Sequence, residues 1–428
     1  MITTINNEHK KLNFSSEREQ SQACLNSAEH EKNQGRKVLN VPNLRFPEFQ
    51  GEWEELGLSE LLDFKNGLNP KPDKFGKGIK FISVMDILNN AVITYDCIKA
   101  SVDVTEKELS DFSVEKGDIL FQRSSETLED VGRANVYMDD KTAVFGGFVI
   151  RGKKKGEYSP QYFNYLLRSP FARKRIIPMG AGAQHFNIGQ EGLSKVKLHF
   201  ANIEEQKKIG NFLSLLDERI ATQNKIIEDL KKLKCAIIET EYNSKGHEYR
   251  IGDIIEQKSL RNKSNLVKTV LSVNNKLGFI NQDEQFEDRI VASEDTSNYK
   301  VVTKDDFAYN PARINVGSIA RLKSYDKGIV SPMYICFKVT DSIVPEYLES
   351  YFATNQFFKE MQKRLEGSVR LCLSFEGLCN IPVVIPNMDE QAEIGKRIHL
   401  LENKIETECN ILSQYEKQKQ YLLRQMFI

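Results

Sequence analysis

Glu204-Glu205-Gln206-Lys207-Lys208-Ile209-Gly210 and Asp389-Glu390-Gln391-Ala392-Glu393-Ile394-Gly395 are two forms of one heptapeptide, 185 residues apart. Each opens a proline-free run in which seam positions alternate in steps of four and three. In the first run the series is Ile209, Leu213, Leu216, Ile220, Gln223, Ile227, Leu230, Lys234 and Ile237. In the second it is Ile394, Ile398, Leu401, Ile405, Glu408, Leu412, Tyr415, Lys419, Leu422 and Met426. This is the a/d spacing of a coiled-coil seam. The offset of 185 carries one series onto the other, polar interruptions included: Gln223 onto Glu408, and Lys234 onto Lys419. A polar seam residue weakens a coiled coil but fixes its register. Two helices with the same seam and the same interruptions are therefore expected to pair with each other. Each would run about 35–40 residues and span about 55 Å. An antiparallel pair of that kind is a rigid spacer between two equivalent units, or, more plainly, a hairpin that packs two domains together.

The repeat extends upstream. Glu191-Gly192-Leu193 returns as Glu376-Gly377-Leu378, Pro160 and Tyr162 as Pro345 and Tyr347, and Gly132 as Gly317, all at the same offset. With small gaps, Phe81-Ile82-Ser83-Val84 resembles Val270-Leu271-Ser272-Val273, and Asp118-Ile119-Leu120-Phe121 resembles Asp306-Phe307-Ala308-Tyr309. Ahead of each helix lies a mixed α/β segment. Short β-type runs at 80–84, 119–122 and 142–150 are divided by Gly, Asn and Pro, and a helix is expected over 160–175 after Ser159. The expected fold is α/β (α+β): a duplicated α/β unit joined by two long helices in an antiparallel coiled coil, with pseudo-twofold symmetry. The expected divisions are a polar extension over 1–40, disordered or partner-binding, an α/β unit over 41–202, a helix over 203–243, a second α/β unit over 244–387 and a second helix over 388–428.

Composition narrows the function. The 428 residues are 40% hydrophobic and 28% charged, which suits two to four globular domains. No run approaches the roughly 18 apolar residues of a membrane span, and residues 1–40 lack the apolar core of a signal peptide, so a cytoplasmic location is expected. The seven cysteines include no CxxC pair and match no zinc spacing. The 60 Lys+Arg balance the 60 Asp+Glu. Zero net charge argues against a lone nucleic-acid binder, whose affinity comes from basic surface, but leaves room for local patches and for partners that add charge.

Motifs for chemistry are sparse. There is no P-loop, and neither Gly76-Lys77-Gly78 nor Gly180-Ala181-Gly182 completes a dinucleotide fingerprint. The six histidines form no i, i+4 pair. Asn310-Pro311-Ala312-Arg313 reads as a turn. Binding features stand out more. Arg123 and Arg133 bound a polar loop whose counterpart holds Arg313 and Arg321. A Gly/Ala loop carries Gln184 and His185, and its counterpart carries Arg370. Such side chains supply donors for base edges and phosphates. Basic runs flank the loops at 151–155 and 168–175, and again at Lys359, Lys363 and Arg364.

Val41-Pro42-Asn43-Leu44-Arg45-Phe46-Pro47-Glu48-Phe49 followed by Trp53 resembles the opening of type I restriction–modification specificity subunits. So do Gly117-Asp118-Ile119-Leu120-Phe121, the glycine-rich loop ending at Ile188, Val196-Lys197-Leu198 running to Glu205-Gln206, and Ile381-Pro382-Val383-Val384-Ile385-Pro386 running to Glu390-Gln391. The resemblance covers about residues 40–428 and departs from the family in residues 1–40 and in the proline-free Val196-Lys197-Leu198-His199-Phe200. It implies a non-catalytic subunit that reads a split sequence in double-stranded DNA and docks two modification (methyltransferase) subunits, with restriction/translocase subunits added. No cofactor is expected in this chain; S-adenosylmethionine, ATP and Mg2+ are expected in the partners. Within this reading the loop residues Arg123, Arg133, Gln184, His185, Arg313, Arg321 and Arg370 are the candidate DNA contacts. A stand-alone methyltransferase or nuclease, and a coiled-coil scaffold that never touches DNA, are the competing readings.

Overall fold

A computed structural model describes residues 39–242, 246–275, 277–282, 295–368 and 370–428. The expected N-terminal extension lies, up to residue 38, outside the described residues. Two compact units emerge: Met1–Glu218 with Glu416–Ile428, and Arg219–Tyr415. The boundaries between them, at Glu218/Arg219 and Tyr415/Glu416, fall within the two long helices. The helices themselves are unbroken, Ile203–Glu241 and Met388–Gln425.

Inside each unit the same topology is built twice. In the first unit an antiparallel sheet has the order Leu62–Asn66, Val149–Lys154, Ile119–Gln122, Ala134–Val136. In the second the order is Ile255–Lys258, Ile335–Val339, Phe307–Tyr309, Ile319–Arg321. A second sheet in each unit carries one parallel pair, Phe75–Ile82 beside Ala143–Phe145, and Val270–Asn274 beside Lys327–Val330. The buried strand Ile119–Gln122 and the central strand Phe307–Tyr309 are wholly buried, which explains why they read as short apolar runs without alternation.

Two sequence expectations need correction. The run at 142–150 is two strands, Ala143–Phe145 and Val149–Lys154, because Gly146 and Gly147 turn the chain from one sheet into the other. A Cβ at Gly147 would meet the Asn69 side-chain oxygen at 1.9 Å. The helix expected over 160–175 is two helices, Pro160–Arg168 and Pro170–Ile176. Pro170 disfavours helical geometry at the residue before it, and Ser169 caps the new helix by accepting from the Ala172 amide.

The heptapeptide that opens each long helix now has a physical meaning. Gln206 accepts from the Ser159 amide (2.9 Å) and donates to the Ala201 carbonyl (2.8 Å). Gln391 does the same with Val344 (2.8 Å) and Pro386 (3.0 Å). Both glutamines are buried. They satisfy backbone groups that no helix or strand would otherwise pair. Gly210 and Gly395 let the crossing helix come close: a Cβ there would lie 3.0 Å from the Tyr162 amide and 3.1 Å from Glu346 Cβ.

Within the second unit the helix segments run antiparallel. Gln223 donates to the carbonyl (3.0 Å) and the carboxylate of Glu408, Lys234 pairs with Glu402 (2.5 Å), and Glu241 with Arg397 (2.8 Å). In the first unit Lys419 pairs with Asp217 at 2.5 Å. The offset of 185 carries that pair onto Glu402 and Lys234, and carries Gln223 onto its own partner. Seam positions Leu213, Leu216, Ile227 and Ile398 are buried, and Ile220, Leu401, Ile405 and Leu412 half-buried. Each helix ends on an aromatic: Phe427 packs against Trp53 and Tyr162 in the first unit, and Tyr242 stacks on Tyr347 in the second. Tyr162 and Tyr347 are themselves repeat equivalents.

Candidate nucleic-acid interface

In the first unit the buried strand Ile119–Gln122 delivers Arg123 to the surface. Gln122, buried, donates to the Ser124 carbonyl at 2.9 Å and turns the chain. The Arg123 amide bonds to the Phe148 carbonyl (2.9 Å), and its guanidinium reaches the Gly147 carbonyl at 3.3 Å. Ser124–Ser125 then pairs with Phe186–Asn187, and the Ile188 amide bonds to the Arg123 carbonyl at 2.9 Å. Ala181 and Asn187 exchange two hydrogen bonds of 2.9 Å and close a small hairpin. Its tip holds Gln184 and His185, both exposed. Gly182 is obligatory there: with φ +149°, a Cβ would lie 2.0 Å from the His185 carbonyl oxygen.

The second unit repeats the device. Asn310 caps a tight turn by accepting from the Ala312 amide at 3.1 Å, and Gly317 (φ +90°) closes the loop. Arg313 is exposed on that loop. The Leu373 amide bonds to the Pro311 carbonyl at 3.0 Å, and Glu366 and Cys372 exchange bonds of 2.9 and 2.8 Å. The hairpin tip carries exposed Ser368 and Arg370. Gly367 (φ +120°) would place a Cβ 2.3 Å from the Arg370 carbonyl oxygen. His185 and Arg370 therefore occupy one position of one hairpin.

Arg123, Gln184 and His185 are thus brought onto paired loops, and Arg313 with Arg370 likewise. Arg133 turns elsewhere. It pairs with Asp130 at 2.6 Å and lines a cavity with Arg168, Arg173, Glu129 and Leu167. Arg173 donates to the Glu129 and Val131 carbonyls (2.8 and 2.6 Å), while its buried Nη1 has no partner. Burial and the neighbouring Arg133 push its pKa down to about 10.

Arg321 corrects the sequence expectation. It is 8% exposed and enclosed by Asp305 (2.6 Å), Glu346 (2.6 Å) and Glu349 (3.0 Å). A buried guanidinium needs such compensation, and these carboxylates hold it as a structural cation. Several residues of the flanking basic runs are engaged within the fold or in surface ion pairs. Arg151 is buried and donates to the Ser113 carbonyl, Lys153 pairs with Glu115 and Arg175 with Glu55, and Lys363 and Arg364 both pair with Glu360. The sequence reading missed Ser124 and Ser125, which share the loop surface with Asn187; short polar residues carry no signal until the strands that pair them are known. No group of His, Cys, Asp and Glu suited to a metal occurs among the described residues.

The sequence model of the type I restriction modification DNA specificity domain matches the chain twice, over residues 50–232 and 243–417. The chain belongs to the type I restriction–modification specificity family. It is a specificity subunit with two target-recognition domains. The specificity subunits of type I restriction enzymes MjaX and MjaVIII of Methanocaldococcus jannaschii are each 23% identical to it, covering 90% and 89% of this chain and 95% and 92% of their own. The EcoKI specificity subunit of Escherichia coli is 25% identical over 138 residues, 32% of this chain and 28% of its own. The solved type I S subunit from M. genitalium has the same fold at 18% identity, with a TM-score of 0.55 over 91% of this chain and 99% of that one. Each specificity domain of the pair contains one arginine loop and one glycine-closed hairpin.

Proposed function

We infer that this specificity subunit reads a bipartite target in double-stranded DNA, each unit taking one half-site through its arginine loop and hairpin. The observation that carries this reading is the repeated hairpin, closed by Gly182 and by Gly367, docked each time through one amide on the loop that bears Arg123 or Arg313. Two equivalent surfaces suit two half-sites. Gln184, His185 and Arg370 at the tips are the base-reading candidates, with Arg123 and Arg313 beside them.

The subunit carries no chemistry of its own in this reading. Two modification subunits bind S-adenosylmethionine and methylate adenine; restriction/translocase subunits supply ATP- and Mg2+-dependent work. Docking falls to the outer faces of the long helices. Leu215 and Leu400 stand at equivalent positions there, 58% and 59% exposed. Matched apolar groups on two copies suit two copies of one partner. Leu215→Asp and Leu400→Asp should each reduce the bound modification subunits from two to one, read by mass photometry; full occupancy in both variants would overturn the assignment. The reading as a whole is tested by nuclease footprinting of the assembled methyltransferase. A bipartite protected site supports it, and equal protection of all sequences overturns it.

A further inference from the structure

Each unit leaves a large apolar side chain exposed on the turn beside its arginine loop, and these two are repeat equivalents. Phe148 is 68% exposed and Met333 is 62% exposed, 185 residues apart. Each occupies the tight turn by which the chain crosses from one sheet to the other: Ala143–Phe145 into Val149–Lys154, and Lys327–Val330 into Ile335–Val339. Each turn is tied to the candidate reading loop. The Arg123 amide bonds to the Phe148 carbonyl at 2.9 Å, and the Asn310 amide group donates to Met333 Sδ at 3.9 Å.

A single exposed apolar residue is ordinary on any protein surface. Two at one position of a diverged repeat, each fixed to the same polar loop, form a pattern that folding does not require. The polar neighbours say what kind of surface they meet. Arg123, Ser124 and Asn187 in one unit, and Asn310 and Arg313 in the other, present hydrogen-bonding groups suited to base edges. On the base edges of the major groove the apolar feature is the thymine 5-methyl group.

We propose that Phe148 and Met333 are paired specificity-determining residues, each packing on a thymine methyl group in its own half-site. This rests on the DNA-reading function inferred above and adds a base identity to it. Phe148 and Met333 differ in shape, so the two half-sites place their thymine at different positions relative to the hairpin contacts.

The test uses the subunit assembled with its modification partners and a target duplex established by methylation sequencing. Each thymine is replaced in turn by deoxyuridine, which removes only the methyl group. In the wild-type complex one replacement in each half-site should weaken binding about fourfold, the weight of one buried methyl group. Phe148→Ala should abolish that sensitivity in one half-site and leave the other intact; Met333→Ala should do the reverse. Both side chains are exposed, so neither change is expected to disturb folding. The proposal is overturned if no position is sensitive to deoxyuridine, if sensitivity persists in both variants, or if a variant loses its partners, which would make the residue a subunit contact. A wild-type complex that binds target and scrambled duplex equally would instead refute the DNA-reading function, a result independent of either variant.

Discussion

Gln206 and Gln391 show how one side chain can join an α/β unit to its helix. Each bridges an amide and a carbonyl that are otherwise buried without partners. Gln206→Leu should destabilise the first unit by about 1–3 kcal/mol, the cost of unsatisfied buried backbone groups, and Gln391→Leu the second unit equally. Urea denaturation would measure both; unchanged stability would contradict the role. Gly182 and Gly367 act differently. Alanine at either would strike a carbonyl oxygen and open a surface hairpin, so selection should suffer while the melting temperature holds. The same scale marks what sequence could not reveal. The glutamines and glycines were visible as a repeat, because their backbone roles force the residue type. Arg321 looked like a loop arginine, because Asp305, Glu346 and Glu349 come from separate segments that only the fold assembles. Arg45 was visible only as part of a family motif, and its bidentate bond to buried Glu205 (2.8 Å twice) emerged from packing across 160 residues.

At the scale of elements, the long helices were legible in full because period 3.5 survives where detail diverges. Gln223 and Glu408 among their polar interruptions pair directly, while Lys234 and Lys419 pair with Glu402 and Asp217. Gln223 meets Glu408, whose carboxyl is held below its ordinary value near 4.5 by Lys404 and Gln223. Glu402 is pulled up by burial, but Lys234 and Lys323 more than offset that and leave it lowered. Both acids are depressed in the folded state, so their contribution is complete above pH 4.5 and fades as the pH falls through the lower folded values. Stability should therefore decline on acidification below pH 4.5, and Glu402→Gln should flatten that decline; an identical pH profile would contradict the pairing. The short strands and split helices were less legible. Gly146-Gly147 and Pro170 looked like ordinary punctuation, and only the change of sheet at the first and the new cap at Ser169 reveal two elements where one run was read.

At the scale of the whole molecule, the C-terminal segment Glu416–Ile428 belongs to the first unit. The last helix ends in the first unit, where Phe427 packs on Trp53 and Tyr162. Phe427→Ala should cost the first unit about 3–5 kcal/mol and shift the emission of Trp53, the single tryptophan, to longer wavelength. Unaltered emission would contradict the docking. Duplication and a shared strand order thus give each unit an equivalent candidate reading surface, and the central claim is that each surface reads its own half of a split site. Methylation-sensitive sequencing of DNA from cells carrying the complete system tests this most directly, comparing the native subunit with Gly182→Ala and Gly367→Ala. The account predicts a bipartite motif in which one variant degrades only one half and the other variant only the other half. A continuous motif, or both variants degrading the same half, would contradict it.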